Sequence, residues 1–139
     1  MTDVLQRNAD MAMLALVIWR EARGESYQAQ LGVANVVLNR VAHPGWWGRD
    51  VMGVLFDPWQ FSSVTDPKDR QLTKWPITSD PSWKQCLKAA HSALLGLDVN
   101  PVPGADSYFD VSIPNPKWAV QSKFVARIGR IKFYNLDGK

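Results

Sequence analysis

The chain has 139 residues, 46% of them apolar, with a formal charge of +3 and a pI of about 9.2. That length supports one domain, residues 1–139, built on one core, with none to spare for a second. The sequence has no run of about 18 apolar residues, which excludes stable membrane insertion, and the single Cys86 excludes an internal disulfide.

The first ten residues lack the basic start and apolar block of a secretory leader. A first helix is expected from Asn8 or Asp10, either of which can cap it, to Arg23. Met11, Leu14, Ala15, Ile18, Trp19 and Ala22 spread over one side. At about 100° per residue Glu21 falls about 20° from Leu14, inside that apolar arc, while Arg20 and Arg23 point away. Gly24 can stop the helix in a left-handed conformation.

Ser26 can cap a second helix, Tyr27 to Val41, whose apolar residues run nearly all the way round. Such a helix is expected to be central. Asn35 and Asn39, four apart, share one face and need partners, either loop backbone or a cleft wall. A short apolar segment, Val51 to Phe56, follows. Trp59 to Val64 alternates weakly and suggests a short strand, and residues 65–80 read as a surface loop.

Asp80 as cap and Pro81 at the first helical position start a third long helix, closed by Gly96. Ser107 to Val111 reads as a strand. Phe124–Ile128 and Ile131–Tyr134 form a hairpin about Gly129-Arg130. The order predicts an α+β fold, a compact mainly helical domain with a small antiparallel β-sheet.

Two histidines and one cysteine, His43, His91 and Cys86, are not spaced as a metal site, and no cofactor-binding motif is present. No nucleophile turn accompanies either histidine, which leaves a peptide-cleaving amidase without zinc or nucleophile. Of seven tryptophans, Trp46, Trp47, Trp59, Trp75 and Trp118 lie in loop-like sequence. Indole rings there either stack on sugar faces or fill the core.

Glu21 and Glu25 are the informative carboxylates. Apolar neighbours and the negative end of a helix dipole keep a carboxylic acid protonated near neutral pH. A protonated carboxylic acid cleaves glycosidic bonds. The same placement also fits a Glu21 that pairs with Arg40 or Arg127 and only holds the fold. Glu25, past Gly24, is better placed to support the turn.

Trp19-Arg20-Glu21-Ala22-Arg23-Gly24-Glu25, followed by Gly32 to Val41, resembles the catalytic domain of the SleB-type cell wall hydrolases, the spore cortex-lytic enzyme family. The resemblance continues in Gln60-Phe61-Ser62, Ala89-Ala90, Ala93 to Gly96, Tyr108-Phe109, Pro116-Lys117-Trp118, Ala126 to Gly129 and Phe133-Tyr134. It implies a lysozyme-like fold that cuts peptidoglycan between N-acetylmuramic acid and N-acetylglucosamine, most simply as a lytic transglycosylase giving 1,6-anhydromuramic ends. The alternatives are a hydrolytic muramidase and a non-catalytic peptidoglycan-binding module. The resemblance also implies Glu21 as catalytic acid. Glu25, Gln60, Ser62, Tyr108 and Arg127 then support it, and Asn35, Phe61, Phe109, Trp118 and Tyr134 contact substrate. No metal or other cofactor is implied. Gly129-Arg130-Ile131 stands where the family often has Gly-Asn-His.

The partner expected is the peptidoglycan glycan strand. Nucleic acid is not expected, since a charge of +3 fits an anionic wall equally well. A bare catalytic domain looks like a monomeric phage or prophage endolysin. It would be made in the host cytoplasm without a signal peptide and released to the wall by a holin.

Overall fold

A computed structural model describes residues 3–43, 47–57 and 60–137. Helix α1 spans Val4–Ala22, α2 Tyr27–Ala42, α3 Val51–Leu55, α4 Ser62–Thr65 and α5 Pro81–Leu95. Strands β1 (Ser107–Asp110), β2 (Phe124–Ile128) and β3 (Ile131–Tyr134) form one antiparallel sheet in the order β1-β3-β2. Mainly helical content with a small sheet at one side is the expected α+β arrangement. The loop tryptophans Trp46 and Trp59 lie outside the described residues.

Helix α1 starts earlier than its apolar stripe suggests. The Asp3 side chain accepts from the Leu5 amide at 2.8 Å, and Gln6 donates to Asp10 one turn on at 2.9 Å. These local bonds carry two turns whose Val4 and Leu5 stay exposed. From Leu14 to Arg20 the helix is buried on every side. Arg20, expected to point away, is buried because the loop after α4 covers it. Its guanidinium donates to the carbonyls of Ser63 at 2.9 Å and Lys74 at 3.1 Å, and lies over the Trp75 ring. Arg23 reaches the same loop through Gln71 at 2.8 Å.

The end of α1 is not made by a left-handed Gly24, which has no positive φ. Ser26 caps α2 through the Ala29 amide, and the fully buried Gln30 turns back to donate to the carbonyls of Ala22 at 3.1 Å and Glu25 at 3.3 Å. The Gln30 carbonyl oxygen in turn accepts from Gln85 on α5 at 3.0 Å. One amide thus supplies a donor to the Glu25 carbonyl and a second donor to that of Ala22, which also accepts from the Glu25 amide at 3.0 Å.

Helix α2 is central, as its all-round apolar pattern requires, and packs against α1, α3, α5 and the sheet. Gly32 lets the sheet approach it: a Cβ there would lie 2.6 Å from Cζ of Phe133. Helix α5 follows its expected signals, with Asp80 accepting from the Ser82 amide at 2.9 Å, Pro81 in the first turn and Gly96 at φ 66°. Cys86 on α5 is fully buried, and burial pushes its thiol up to about 12. The hairpin turns at Gly129, φ 57°, between β2 and β3.

The segment expected to enter a strand near Trp59–Val64 instead forms the helical turn Ser62–Thr65. It is closed by Thr65 donating to the Phe61 carbonyl at 3.0 Å. A single turn satisfies backbone groups that have no neighbouring strand to pair with.

Candidate active site

Helix α1 delivers Glu21 one residue before its end, so the side chain emerges between the helices and β1. A cleft of about 330 Å³ opens there, lined by Glu21, Arg40, Trp47, Gln60, Phe61, Ser107, Tyr108, Trp118 and Leu136. Among these described residues Glu21 is the one carboxylate. Its Oε2 accepts from the Ser63 hydroxyl at 3.0 Å, and its Oε1 accepts from the Tyr108 hydroxyl.

Burial of the carboxylate raises the Glu21 pKa above its ordinary value, against the two hydroxyl hydrogen bonds, which lower it. The charge of Asp69 adds to the rise, and that of Arg40 opposes it. A carboxyl group so placed holds its proton to higher pH than an exposed one. It remains beside open space, because the residue is only partly covered. Burial and the adjacent carboxylate also hold the Tyr108 hydroxyl well above the usual phenol range, so Tyr108 stays a neutral donor.

Arg40 is the cation of the site. It is 6% exposed, lies 4.2 Å over the Trp47 ring and 5.1 Å over the Phe61 ring, and donates through Nε to the Asp106 carbonyl at 2.7 Å. Burial pushes its guanidinium below the usual range, while Tyr108, Asp106, Glu21 and Asp57 favour its charge. Arg40 and Glu21 form no ion pair within 4.0 Å. Among the described residues the ion pair present is Arg130–Asp110, on the surface at 3.5 Å. Glu21 is therefore not held as half of a structural salt bridge with either Arg40 or Arg127.

The remaining expected site residues divide. Gln60, Phe61, Tyr108 and Trp118 line the cleft with Glu21. Ser62 does not: its hydroxyl donates outward to Asp69 at 2.6 Å, and the next residue, Ser63, reaches Glu21. The helical turn at 62–65 accounts for the change, since it aims Ser63, not Ser62, at the end of α1. Glu25 sits behind the site, where its Oε1 accepts from the Arg130 amide at 3.2 Å and ties the α1–α2 turn to the β2–β3 hairpin. Arg127 is exposed and donates to the Gly129 carbonyl at 2.8 Å, away from Glu21.

Asn35, expected on a cleft wall, donates to the Leu31 carbonyl of its own helix at 2.9 Å and does not line the cleft. Asn39 binds the carbonyls of Val102 and Ala105, so the pair on α2 serves backbone. Phe109 and Tyr134 are both 4% exposed and belong to an aromatic cluster on the sheet face opposite Tyr108. Trp118 joins that cluster to the cleft, with ring centroids 5.8 Å from Phe109 and 5.5 Å from Tyr134. Among the described residues no group of three or more metal-binding side chains occurs. The sequence reading passed over Ser63 as a partner of Glu21 and Ser107 and Leu136 as cleft residues, named Trp47 only among the loop tryptophans, and weighed Arg40 only as an ion-pair partner.

The sequence profile described as Cell Wall Hydrolase matches residues 24–134. The spore cortex-lytic enzyme of Halalkalibacterium halodurans is 33% identical over 91% of this chain and 34% of its own length. That of Bacillus subtilis is 32% identical over 88% of this chain and 36% of its own length. The chain thus spans about a third of the length of these relatives. Among solved structures, the catalytic domain of the germination-specific lytic transglycosylase SleB from Bacillus anthracis superposes with a TM-score of 0.70 at 31% identity. It covers 90% of this chain and 93% of that one. The catalytic domain of Bacillus cereus SleB gives 0.73 at 29% identity, covering 96% and 94%. The chain belongs to the Cell Wall Hydrolase family, as a domain of the SleB, spore cortex-lytic type.

Proposed function

We propose that this domain is a peptidoglycan lytic transglycosylase in which Glu21 serves first as acid and then as base. The observation that carries the reading is a single carboxyl group among the described residues lining the cleft, braced on both oxygens by neutral hydroxyls. A structural Glu21 needs an ion pair, and Arg40, although it lines the same cleft, forms none with it within 4.0 Å; a two-carboxylate hydrolase needs a second carboxylate, which the described cleft lining lacks.

Protonated Glu21 gives its proton to the oxygen bridging N-acetylmuramic acid and N-acetylglucosamine. The C1–O bond breaks and its electron pair leaves with that oxygen. The Glu21 carboxylate, stabilised by Ser63, Tyr108 and the nearby charge of Arg40, then takes the proton of the muramyl C6 hydroxyl. The C6 oxygen bonds to C1, closing a 1,6-anhydro ring, and Glu21 is protonated again. No water is consumed and no second carboxylate is used. Trp118 and Phe61 offer flat walls to the sugar rings.

Mass analysis of a peptidoglycan digest tests the chemistry. Anhydromuramic ends, lighter by one water than reducing ends, are expected; reducing ends would assign a hydrolytic muramidase instead. Binding to sacculi without release of fragments would assign a non-catalytic module.

From the sequence expectation alone we also propose that the domain works as a monomeric endolysin released by a holin. Cytoplasmic expression should lyse cells only when a holin is co-expressed, and lysis without one would overturn that role.

A further inference from the structure

The sheet has two faces with different tasks. Ile131, Phe133 and Tyr108 turn toward the helices. Phe109, Tyr134 and Lys132 turn the other way, where Trp118 and Phe124 also pack on Tyr134, each 36% exposed. On that outer face Lys132 stands directly opposite Phe109 on β1 and directly opposite Arg127 on β2. Two cations facing each other across antiparallel strands repel and cost stability.

Neither Arg127 nor Lys132 has an ion pair within 4.0 Å among the described residues, and Asp110 is matched to Arg130. Residues 107–134 contain five basic side chains, Lys117, Lys123, Arg127, Arg130 and Lys132, against the single Asp110. That net +4 exceeds the +3 of the entire chain, so the basic character of the protein is concentrated here. The face is also continuous with the cleft, since Trp118 lines the cleft and packs on Phe109, the neighbour of Lys132.

We infer that the outer sheet face, from Trp118 across Lys132 to Arg127, is a second binding surface for an anionic ligand, the carboxylates of the peptide stems carried by the glycan strand. This rests on the proposed substrate but not on the proposed chemistry. A strand leaving the cleft keeps a sugar face on the partly exposed Trp118 ring while its stem carboxylates meet two cations that no described carboxylate pairs with. Charge complementarity commits the surface to an anion, and its continuity with the cleft commits it to an anion on the same strand.

The test measures binding without turnover. In a Glu21→Gln background, calorimetry compares the parent with Arg127→Glu/Lys132→Glu on solubilised glycan strands, with and without their peptide stems. The reversal should weaken binding to stem-bearing strands by about tenfold at about 50 mM salt, with the difference shrinking at about 500 mM. On stem-free strands the two proteins should bind alike. Equal binding to stem-bearing strands would overturn the inference. So would an equal loss on stem-free strands, or a loss seen only on walls that still carry acidic polymers. Because Arg127 also bonds to Gly129, Lys132→Glu alone provides a variant that leaves the hairpin bond intact, and it should show the same salt-sensitive loss in smaller measure. Failure of the lytic reading would appear as absent anhydro products and leave this binding result standing.

Discussion

The Tyr108 hydroxyl of β1 donates to the Glu21 carboxylate at the end of α1, joining residues 87 apart in sequence. This bond makes the small sheet part of the candidate active site. Without it the strand would only cover the helices. It also opposes the effect of burial on Glu21, because a donor to the carboxylate favours the charged form.

Removing that donor gives the first prediction. Tyr108→Phe should raise the Glu21 pKa further, since desolvation remains and one stabilising hydrogen bond is lost. Activity carried by protonated Glu21 is present below that pKa and falls as pH rises through it. The alkaline limb of the kcat/KM profile should therefore move to higher pH, with a maximal rate lower by about tenfold or more as the carboxylate loses its brace. A limb that moves to lower pH would contradict the assignment.

The same raised pKa has a consequence for stability. A group bound to its proton more tightly in the folded state stabilises the fold below its unfolded pKa, near 4.5. That contribution is lost as pH rises through the folded value. Glu21→Gln removes the titration. The melting temperature of the variant should gain on the wild type as pH rises from the unfolded value through the folded one, then level off. Thermal unfolding across this range checks it; a difference independent of pH would show that Glu21 does not titrate above its ordinary value.

Gln30 holds the register that places Glu21. Gln30→Ala removes the side-chain donor to the Glu25 carbonyl and the acceptor for Gln85, while the Ala22 carbonyl keeps the Glu25 amide at 3.0 Å. Each unsatisfied group costs about 1–3 kcal/mol, so a loss of about 2–4 kcal/mol is expected in denaturant unfolding. Activity at a temperature where the variant is folded should fall as well, because the turn after Glu21 is loosened. A stability loss under about 1 kcal/mol would show that this amide is not the clasp described.

Gly32 tests how closely the sheet must sit. Gly32→Ala places a methyl group 2.6 Å from the Phe133 ring. Overpacking of this kind costs about 1–3 kcal/mol and pushes β3 outward. Phe133→Leu in the same chain should recover part of the loss. Additive losses in the double variant, measured by denaturant unfolding, would contradict a direct clash between the two positions.

Helices α2 and α5 were legible because their signals are local: Ser26 before one, Asp80, Pro81 and Gly96 around the other. The hairpin at Gly129 was legible for the same reason, as was Glu21, whose helical phase alone put it on the apolar side. What could not be read depends on contacts between distant segments. Arg20 looks solvent-facing until the loop from Ser63 to Trp75 folds over it. Ser62 and Ser63 are equivalent in sequence until a helical turn chooses between them. The start of α1 escaped because Asp3 caps it about three turns before Leu14, the first buried residue. Phe109 and Tyr134 were expected on the substrate, and strand alternation sends them to the other face from Tyr108. The Asn35 and Asn39 pair was read correctly as needing partners, and backbone carbonyls supplied them.

The central claim is that one carboxyl group, Glu21, performs the proton transfers of glycan cleavage. The most direct measurement is the rate of soluble fragment release from peptidoglycan by folded Glu21→Gln protein, its fold verified by circular dichroism. The account predicts a fall of about 10²-fold or more with binding to sacculi retained. Release within a few-fold of the wild-type rate would contradict it and move the chemistry to another residue.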